Sequence, residues 1–304
     1  MGEGLSMELL EKIDAIEKML EVLGRPPEQL PNCETVFETV LCEKHGEYEQ
    51  RKRVLTSSLI KLPSPPTRCP GCLRDELSFL YDEKKRWEDR TRQQNIDRLL
   101  RQLEIPERFV TCTLENYQPV GKESERALRV CQAYAAKWPE RLKQGGGLVM
   151  CGKPGTGKNH LALAIARDVI EKHQSPVIFT TALKIAREFK STWSKTATRS
   201  ENDVIAHFTT PDLLIIDEVG VQFGSEAEKL IMFEIINTRY ERMKPTILIS
   251  NQTREELAAF IGERVLDRMS DGGGCTLSFT WDSYRSKGDS DDHNNPRADS
   301  CSPA

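Results

Sequence analysis

The stretch LVMCGKPGTGKNHLALAIA, residues 148–166, decides the fold. It reads as an apolar strand, a glycine-rich loop and a helix, the context in which the pattern G-x-x-x-x-G-K-[ST] becomes a phosphate-binding loop rather than a chance turn. Within GKPGTGKN (152–159), Gly152, Gly155 and Gly157 let the backbone curl so that its N–H groups face an anion. Lys153, Pro154 and Thr156 fill the spacing between them, the helix that follows presents its positive end, and Lys158 supplies a point charge for the β and γ phosphates. Asn159 is the one departure, standing where a hydroxyl normally meets Mg2+. An amide carbonyl is a hard oxygen able to ligate Mg2+, although in a different geometry. The loop is therefore expected to bind ATP or ADP, with metal coordination and turnover altered.

The surroundings repeat the same rhythm. GGGLVMCG (145–152), PVIFTT (176–181), DLLIIDE (212–218) and PTILISN (245–251) are short runs rich in Val, Ile and Leu, as strands buried on both faces of a parallel sheet should be, and helical stretches separate them. The expected fold is an α/β doubly wound nucleotide-binding domain. LLIIDE delivers Asp217, suited to hold Mg2+ through water, and Glu218, suited to polarise an attacking water; ILISN ends in Asn251, placed to orient that water. All three would sit at carboxyl ends of strands, where open α/β sheets bind ligands.

The chain of 304 residues has room for a second, smaller domain. Residues 1–74 carry a helix and metal-ligand spacing, 75–108 read as a charged linker helix around Trp87, 109–286 as the nucleotide-binding domain, and 287–304, with almost nothing apolar, as a disordered tail. In residues 5–23, Leu9, Ile13, Ile16, Leu20 and Leu23 form a stripe at helical spacing, and Gly24 with Pro26 and Pro27 ends it. That stripe fits either a helix packed on its own domain or a docking helix for a partner. No apolar run approaches the ~20 residues that span a bilayer, and the N-terminus lacks the basic flank and apolar core of a signal peptide, so a cytoplasmic protein without membrane contact is expected.

CEKH (42–45) and CPGC (69–72) place Cys42, His45, Cys69 and Cys72 as two pairs separated by 23 residues. A two-residue gap lets both side chains of a turn reach one ion, and three thiolates with one imidazole suit structural zinc. The other reading is unrelated cysteines in a reduced chain, and Cys33 is an unpaired spare. The net charge of −4 gives nucleic acid no global attraction, so any contact must come from a local patch. In TALKIAREFKSTWSK (181–195), Lys184, Arg187, Lys190 and Lys195 are basic and Trp193 offers a stacking face; a covering helix with a core tryptophan is the alternative.

GKPGTGKNHLA, LLIIDEVGVQ, ILISN, GERVLDRM and WDSYRS, preceded by IPERFVTCTLENY, together resemble the ATPase domain of the DnaC-type replicative helicase loaders within the AAA+ superfamily, over about residues 105–286. In that family Asn at the last loop position is usual. The resemblance implies an arginine finger at Arg268, with Arg264 in the same motif, that completes a neighbouring subunit's site and so requires self-assembly. It also implies a sensor arginine at Arg285, and an extra helix facing single-stranded DNA at the position of Lys190 and Trp193. The implied activity is ATP hydrolysis in loading a hexameric replicative DNA helicase onto single-stranded DNA, with the N-terminal region gripping the helicase. The zinc element departs from the helical N-terminal region of the best-known members and is similar to phage or prophage relatives. An IstB-type transposition helper ATPase and a non-hydrolysing ATP-binding adaptor are the alternatives.

Overall fold

The computed structural model describes residues 2–29, 31–56, 65–220 and 226–284. Arg285 and the tail 287–304 lie outside the described residues. The chain divides into two compact units, residues 1–93 and 94 onward.

In the first unit, helix α1 (Gly2–Gly24) is followed by an antiparallel hairpin of β1 (Cys33–Cys42) and β2 (Gly46–Leu55), and then by the start of α2 (Pro70–Gln102), which continues into the second unit. The predicted stripe of α1 is used internally. Ile13 and Ile16 are buried with Leu73 and Leu80 of α2, and Leu9, Leu20 and Leu23 pack against them, so the docking reading of this stripe gives way to the packed one. Helix α2 begins at Pro70, five residues before the expected Asp75, because proline is tolerated in a first helical turn, where its missing N–H has no partner to lose.

The second unit is a five-stranded parallel sheet in the order β4-β5-β6-β3-β7, built from β3 (Leu148–Gly152), β4 (Val177–Thr181), β5 (Leu213–Asp217), β6 (Thr246–Ser250) and β7 (Cys275–Phe279). Helices α3 (Lys122–Ala136), α4 (Trp138–Gln144) and α5 (Lys158–His173) cover one face; α6 (Ala182–Ser191), α7 (Glu201–Thr209), α8 (Glu226–Glu241), α9 (Arg254–Ile261) and α10 (Glu263–Ser270) cover the other. Alternate residues of each inner strand serve the two cores. Leu148, Leu213, Ile215 and Ile247 face one; Val149, Leu214, Ile216 and Leu248 face the other. That two-sided burial explains why the strand sequences are continuously apolar. Four of the five strands fall where the sequence places them. β7 was not foreseen, since CTLSF alternates inward Leu277 and Phe279 with more exposed Thr276 and Ser278, the pattern of an edge strand. Among the described residues no helix is long and apolar enough to cross a membrane.

At the amino end of β5 and β6, the fully buried Arg239 of α8 donates to the carbonyls of Phe208, Pro211, Asp212 and Pro245 and to the Thr246 hydroxyl, at 2.6–3.2 Å. Burial pulls its guanidinium down to about 9, still protonated at neutral pH. The one side chain thus ties together the turns that launch both strands. Truncating it strands buried acceptors, which cost about 1–3 kcal/mol each when unpaired. Arg239→Met should lower the unfolding free energy of the chain by about 3 kcal/mol or more, measured by urea denaturation, with Arg239→Lys recovering only part because it lacks the planar fork.

Candidate nucleotide site and metal centre

The carboxyl ends of three adjacent strands, β5, β6 and β3, bring the predicted residues of the second unit to one place. A cavity of about 590 Å3 is lined by Pro154 through Asn159, by Asp217 and Glu218, by Asn251, and on another side by Arg108, Tyr117, Trp281 and Tyr284. The loop between β3 and α5 takes left-handed φ at Gly152, Gly155 and Gly157 (121°, 75° and 92°), which only glycine adopts without strain. Gly152 is doubly constrained, because a Cβ there would lie 2.4 Å from the Phe279 carbonyl oxygen.

Inside the loop the Lys158 ammonium donates to the carbonyls of Gly152 and Lys153 at 2.8 and 2.6 Å. It is buried, and the loss of solvent pulls it down to about 8 against the opposing pull of Asp217. Thr156 is also buried, its hydroxyl donating to the Lys153 carbonyl at 2.8 Å, and Lys153 itself reaches Asp282 at 3.1 Å. Asn159 donates its amide N–H to the Asp217 carboxylate at 2.6 Å. Burial raises Asp217 above the usual carboxylate range, opposed by the Glu218 N–H, Asn159 and Lys158. A serine or threonine hydroxyl at position 159 would offer one oxygen both to donate and to ligate. The amide separates the two tasks: Nδ2 bonds Asp217 and Oδ1 stays available as a hard ligand, so the residues present fit Mg2+.

Glu218 is exposed with φ 58°, its N–H bonded to Asp217 Oδ1 at 2.7 Å. The loop it belongs to is held from β6, by the Val219 N–H to the Ile249 carbonyl and by Ser250 Oγ to the Val219 carbonyl. Asn251 follows directly and is exposed into the same cavity. Arg268 stands elsewhere. Its guanidinium donates to Asn237 and lies over the rings of Phe233 and Tyr240 of α8, at 5.8 and 5.2 Å, away from its own chain's cavity. Arg264 is exposed on α10.

Helix α6 buries Ile185, Ala186 and Phe189, as an ordinary covering helix does. It stops at Ser191, so Trp193 and Lys195 stand in the turn beyond it. Trp193 is 59% exposed, its indole N–H bonded to Glu201 at 2.7 Å and its ring edge-on to Phe189. The core-tryptophan alternative is thereby corrected: a residue past the helix end escapes the face its periodicity would bury. Lys190 and Arg187 are exposed on the helix, and Lys184 pairs with Glu104 at 3.5 Å.

In the first unit the four predicted ligand atoms of Cys42, His45, Cys69 and Cys72 lie within 4.8 Å of one another. The hairpin turn supplies Cys42 and His45, and the start of α2 supplies the other two. His45 Nδ1 faces Cys42 and Cys72 at 3.7 and 3.4 Å, while its Nε2 meets the Asp75 carboxylate at 3.0 Å. A carboxylate behind a histidine fixes the ring and its tautomer for metal ligation, a partner the sequence reading missed although it lies three residues past Cys72. Gly71 is required by this packing, since a Cβ would meet the His45 ring at 2.4 Å. The His45 hydrogen bond draws the Cys42 thiol down to about 6, and the bond to Cys42 pushes Cys72 up to about 11. Three sulfurs, an oriented imidazole and no oxygen ligand fit a closed zinc site. Cys33 opens β1 at the opposite end of the hairpin and does not join the cluster.

Known proteins are similar to this chain. The family model of the IstB-like ATP-binding proteins matches residues 72–291. The replicative helicase loader DnaC of Buchnera aphidicola subsp. Acyrthosiphon pisum (strain APS) is 34% identical over 190 residues, 62% of this chain and 76% of that protein. DnaC of Escherichia coli (strain K12) is 37% identical over 176 residues, 58% of this chain and 70% of that protein. A crystal structure of the DnaC helicase loader superposes with a TM-score of 0.51 at 23% identity, over 57% of this chain and 99% of that one, in agreement on the fold. The chain belongs to the IstB-like ATP-binding protein family, among the DnaC-type members of the AAA+ ATPases.

Proposed function

We propose that the protein is an ATP-dependent loader that binds a hexameric replicative DNA helicase through residues 1–74 and delivers it onto single-stranded DNA. The observation that carries the ATPase half is the convergence of Lys158, Asn159, Asp217, Glu218 and Asn251 on one cavity at three adjacent strand ends. The helicase half rests on the DnaC relatives, which match over about two thirds or more of their own length.

Lys158 leaves its two loop carbonyls to neutralise β- and γ-phosphate oxygens. That exchange is favourable because a desolvated ammonium regains a full counter-charge. The Asp217 carboxylate and the Asn159 oxygen would hold Mg2+, which supplies charge neutralisation across the phosphates when bound. Glu218 accepts the proton of the attacking water, oriented by Asn251. Arg268, turned away from its own cavity, completes a neighbouring copy's site and so couples hydrolysis to assembly; Arg285 contributes from the chain's own side. Zinc held by Cys42, His45, Cys69 and Cys72 supplies folding energy to the helicase-binding region. The domain limits follow the same reading, with 109–286 as ATPase domain and 287–304 as tail.

Glu218→Gln should leave ATP binding intact and abolish ATP hydrolysis measured in the presence of helicase and single-stranded DNA. An unmodified chain that hydrolyses nothing under those conditions marks a non-hydrolysing adaptor. Co-purification with a transposase in place of a helicase would favour the transposition-helper reading, to which the IstB-like family model gives its name.

Metal analysis of the purified chain should give about one zinc per molecule, as one four-ligand site requires. Cys72→Ser should lose that metal and abolish helicase capture while ATP binding persists.

Alanine at both Lys190 and Trp193 should weaken single-stranded DNA binding by roughly tenfold, given the ~1–3 kcal/mol that one stacked base contributes. Fluorescence anisotropy reads the loss, and nucleotide affinity should stay constant.

A further inference from the structure

Two aromatic side chains with no part in the chemistry above converge on one backbone atom. The Tyr117 hydroxyl and the Trp281 indole N–H both donate to the carbonyl oxygen of Thr156, each at 3.2 Å. They arrive from opposite ends of the unit's sequence, Tyr117 from the segment before α3 and Trp281 from the segment after β7. That second segment lies along the loop for several residues. The Lys153 N–H donates to the Phe279 carbonyl at 2.9 Å, and the Tyr284 N–H donates to the Gly155 carbonyl at 3.0 Å. Tyr117 also packs against Gly157, where a Cβ would come within 2.7 Å of its ring.

A trans peptide is planar, so its C=O and N–H point in opposite directions. Donors that hold the Gly155 and Thr156 carbonyls on one side of the loop therefore aim the N–H groups of Thr156 and Gly157 to the other. This matters most at these two peptides, because Gly155 and Gly157 are the residues whose backbone is freest to rotate. Burial pushes the Tyr117 phenol up to about 12, so it keeps the proton it donates.

We infer that Tyr117 and Trp281 are positioning residues for phosphate binding: by sharing the Thr156 carbonyl they hold the Thr156–Gly157 peptide with its N–H turned toward the phosphates. The inference rests on the nucleotide reading proposed above. Because two donors serve one acceptor, each partly compensates for loss of the other, and the effect of losing both exceeds the product of the single losses.

The test uses the full chain and the variants Tyr117→Phe, Trp281→Phe and the double substitution, each of which keeps a ring and removes a donor. Affinity is measured for ATP and for inorganic tripolyphosphate, both with Mg2+, by displacement of a fluorescent ATP analogue. Each single variant should weaken both probes by about fivefold and the double variant by more than about 25-fold, while far-UV circular dichroism shows that the nucleotide-free chains remain folded. Equal affinity in all four chains, or singles that simply multiply, overturns the inference. So does loss for ATP with tripolyphosphate unaffected, since the rings would then be touching the base. If the unmodified chain binds neither probe, or Lys158→Ala binds as well as it does, the nucleotide reading has failed and takes the inference with it. Should a variant unfold, hydrogen exchange of the Trp281 indole in the unmodified chain decides: the inference requires protection, and exchange at the free-indole rate overturns it.

Discussion

A buried ammonium held by the backbone that surrounds it sets the terms for the whole nucleotide-binding unit. Lys158 carries its charge into a place where water is largely excluded, and the carbonyls of Gly152 and Lys153 substitute for the lost solvent. Those carbonyls reach it only because the loop turns through three left-handed glycines. The loop keeps its shape because β3, from which it springs, lies between β6 and β7, and the chain leaving β7 runs along the loop's outer side. The site's charge is thus held by backbone carbonyls that stand in for solvent.

Asn159 belongs to the same economy of hydrogen bonds. Its amide donates to Asp217, a carboxylate that burial drives toward neutrality and that three donors or charges pull back toward ionisation. With a hydroxyl at this position, one oxygen would have to serve both the carboxylate and a cation. With an amide, nitrogen and oxygen serve them separately, so the carboxylate stays oriented whether or not a cation is present.

How much of this was legible in the sequence depended on the range of the interaction. The inner strands announced themselves because burial on both faces demands unbroken Val, Ile and Leu, and the loop because its glycines are irreplaceable. The cluster of Cys42, His45, Cys69 and Cys72 was legible because each pair is local. What escaped was tertiary. CTLSF was passed over because only one side of an edge strand is deeply buried; its alternation was the available signal. Asp75, Tyr117 and Trp281 act on residues 30, 39 and 125 positions away, and nothing in local spacing reports such partners. For Trp193 the sequence leaves an exposed stacking face and a core position both open, because helical periodicity alone does not show that the helix stops at Ser191. Arg239 carries no local signal in the sequence, although it closes five hydrogen bonds in the interior.

The two units differ in how much apolar packing they possess, and the candidate zinc cluster lies in the one with the smaller described core. Around its sheet the second unit buries two extensive apolar cores, enough to hold strained glycines and a buried lysine in place. The described core of the first unit centres on Ile13, Ile16, Leu73 and Leu80, while its hairpin leaves Phe37, Leu41 and Val54 exposed. A two-stranded hairpin is marginal in water without a third strand or a well-packed face. Its turn, however, carries Cys42 and His45, while Cys69 immediately precedes α2 and Cys72 lies in its first turn. An ion bound by all four would cross-link the hairpin to the helix across the intervening chain, replacing the packing that so small a unit cannot provide. The fixed orientation of His45, set by Asp75 on one side and by the close approach of Gly71 beneath it, means that this cross-link would form at little further conformational cost.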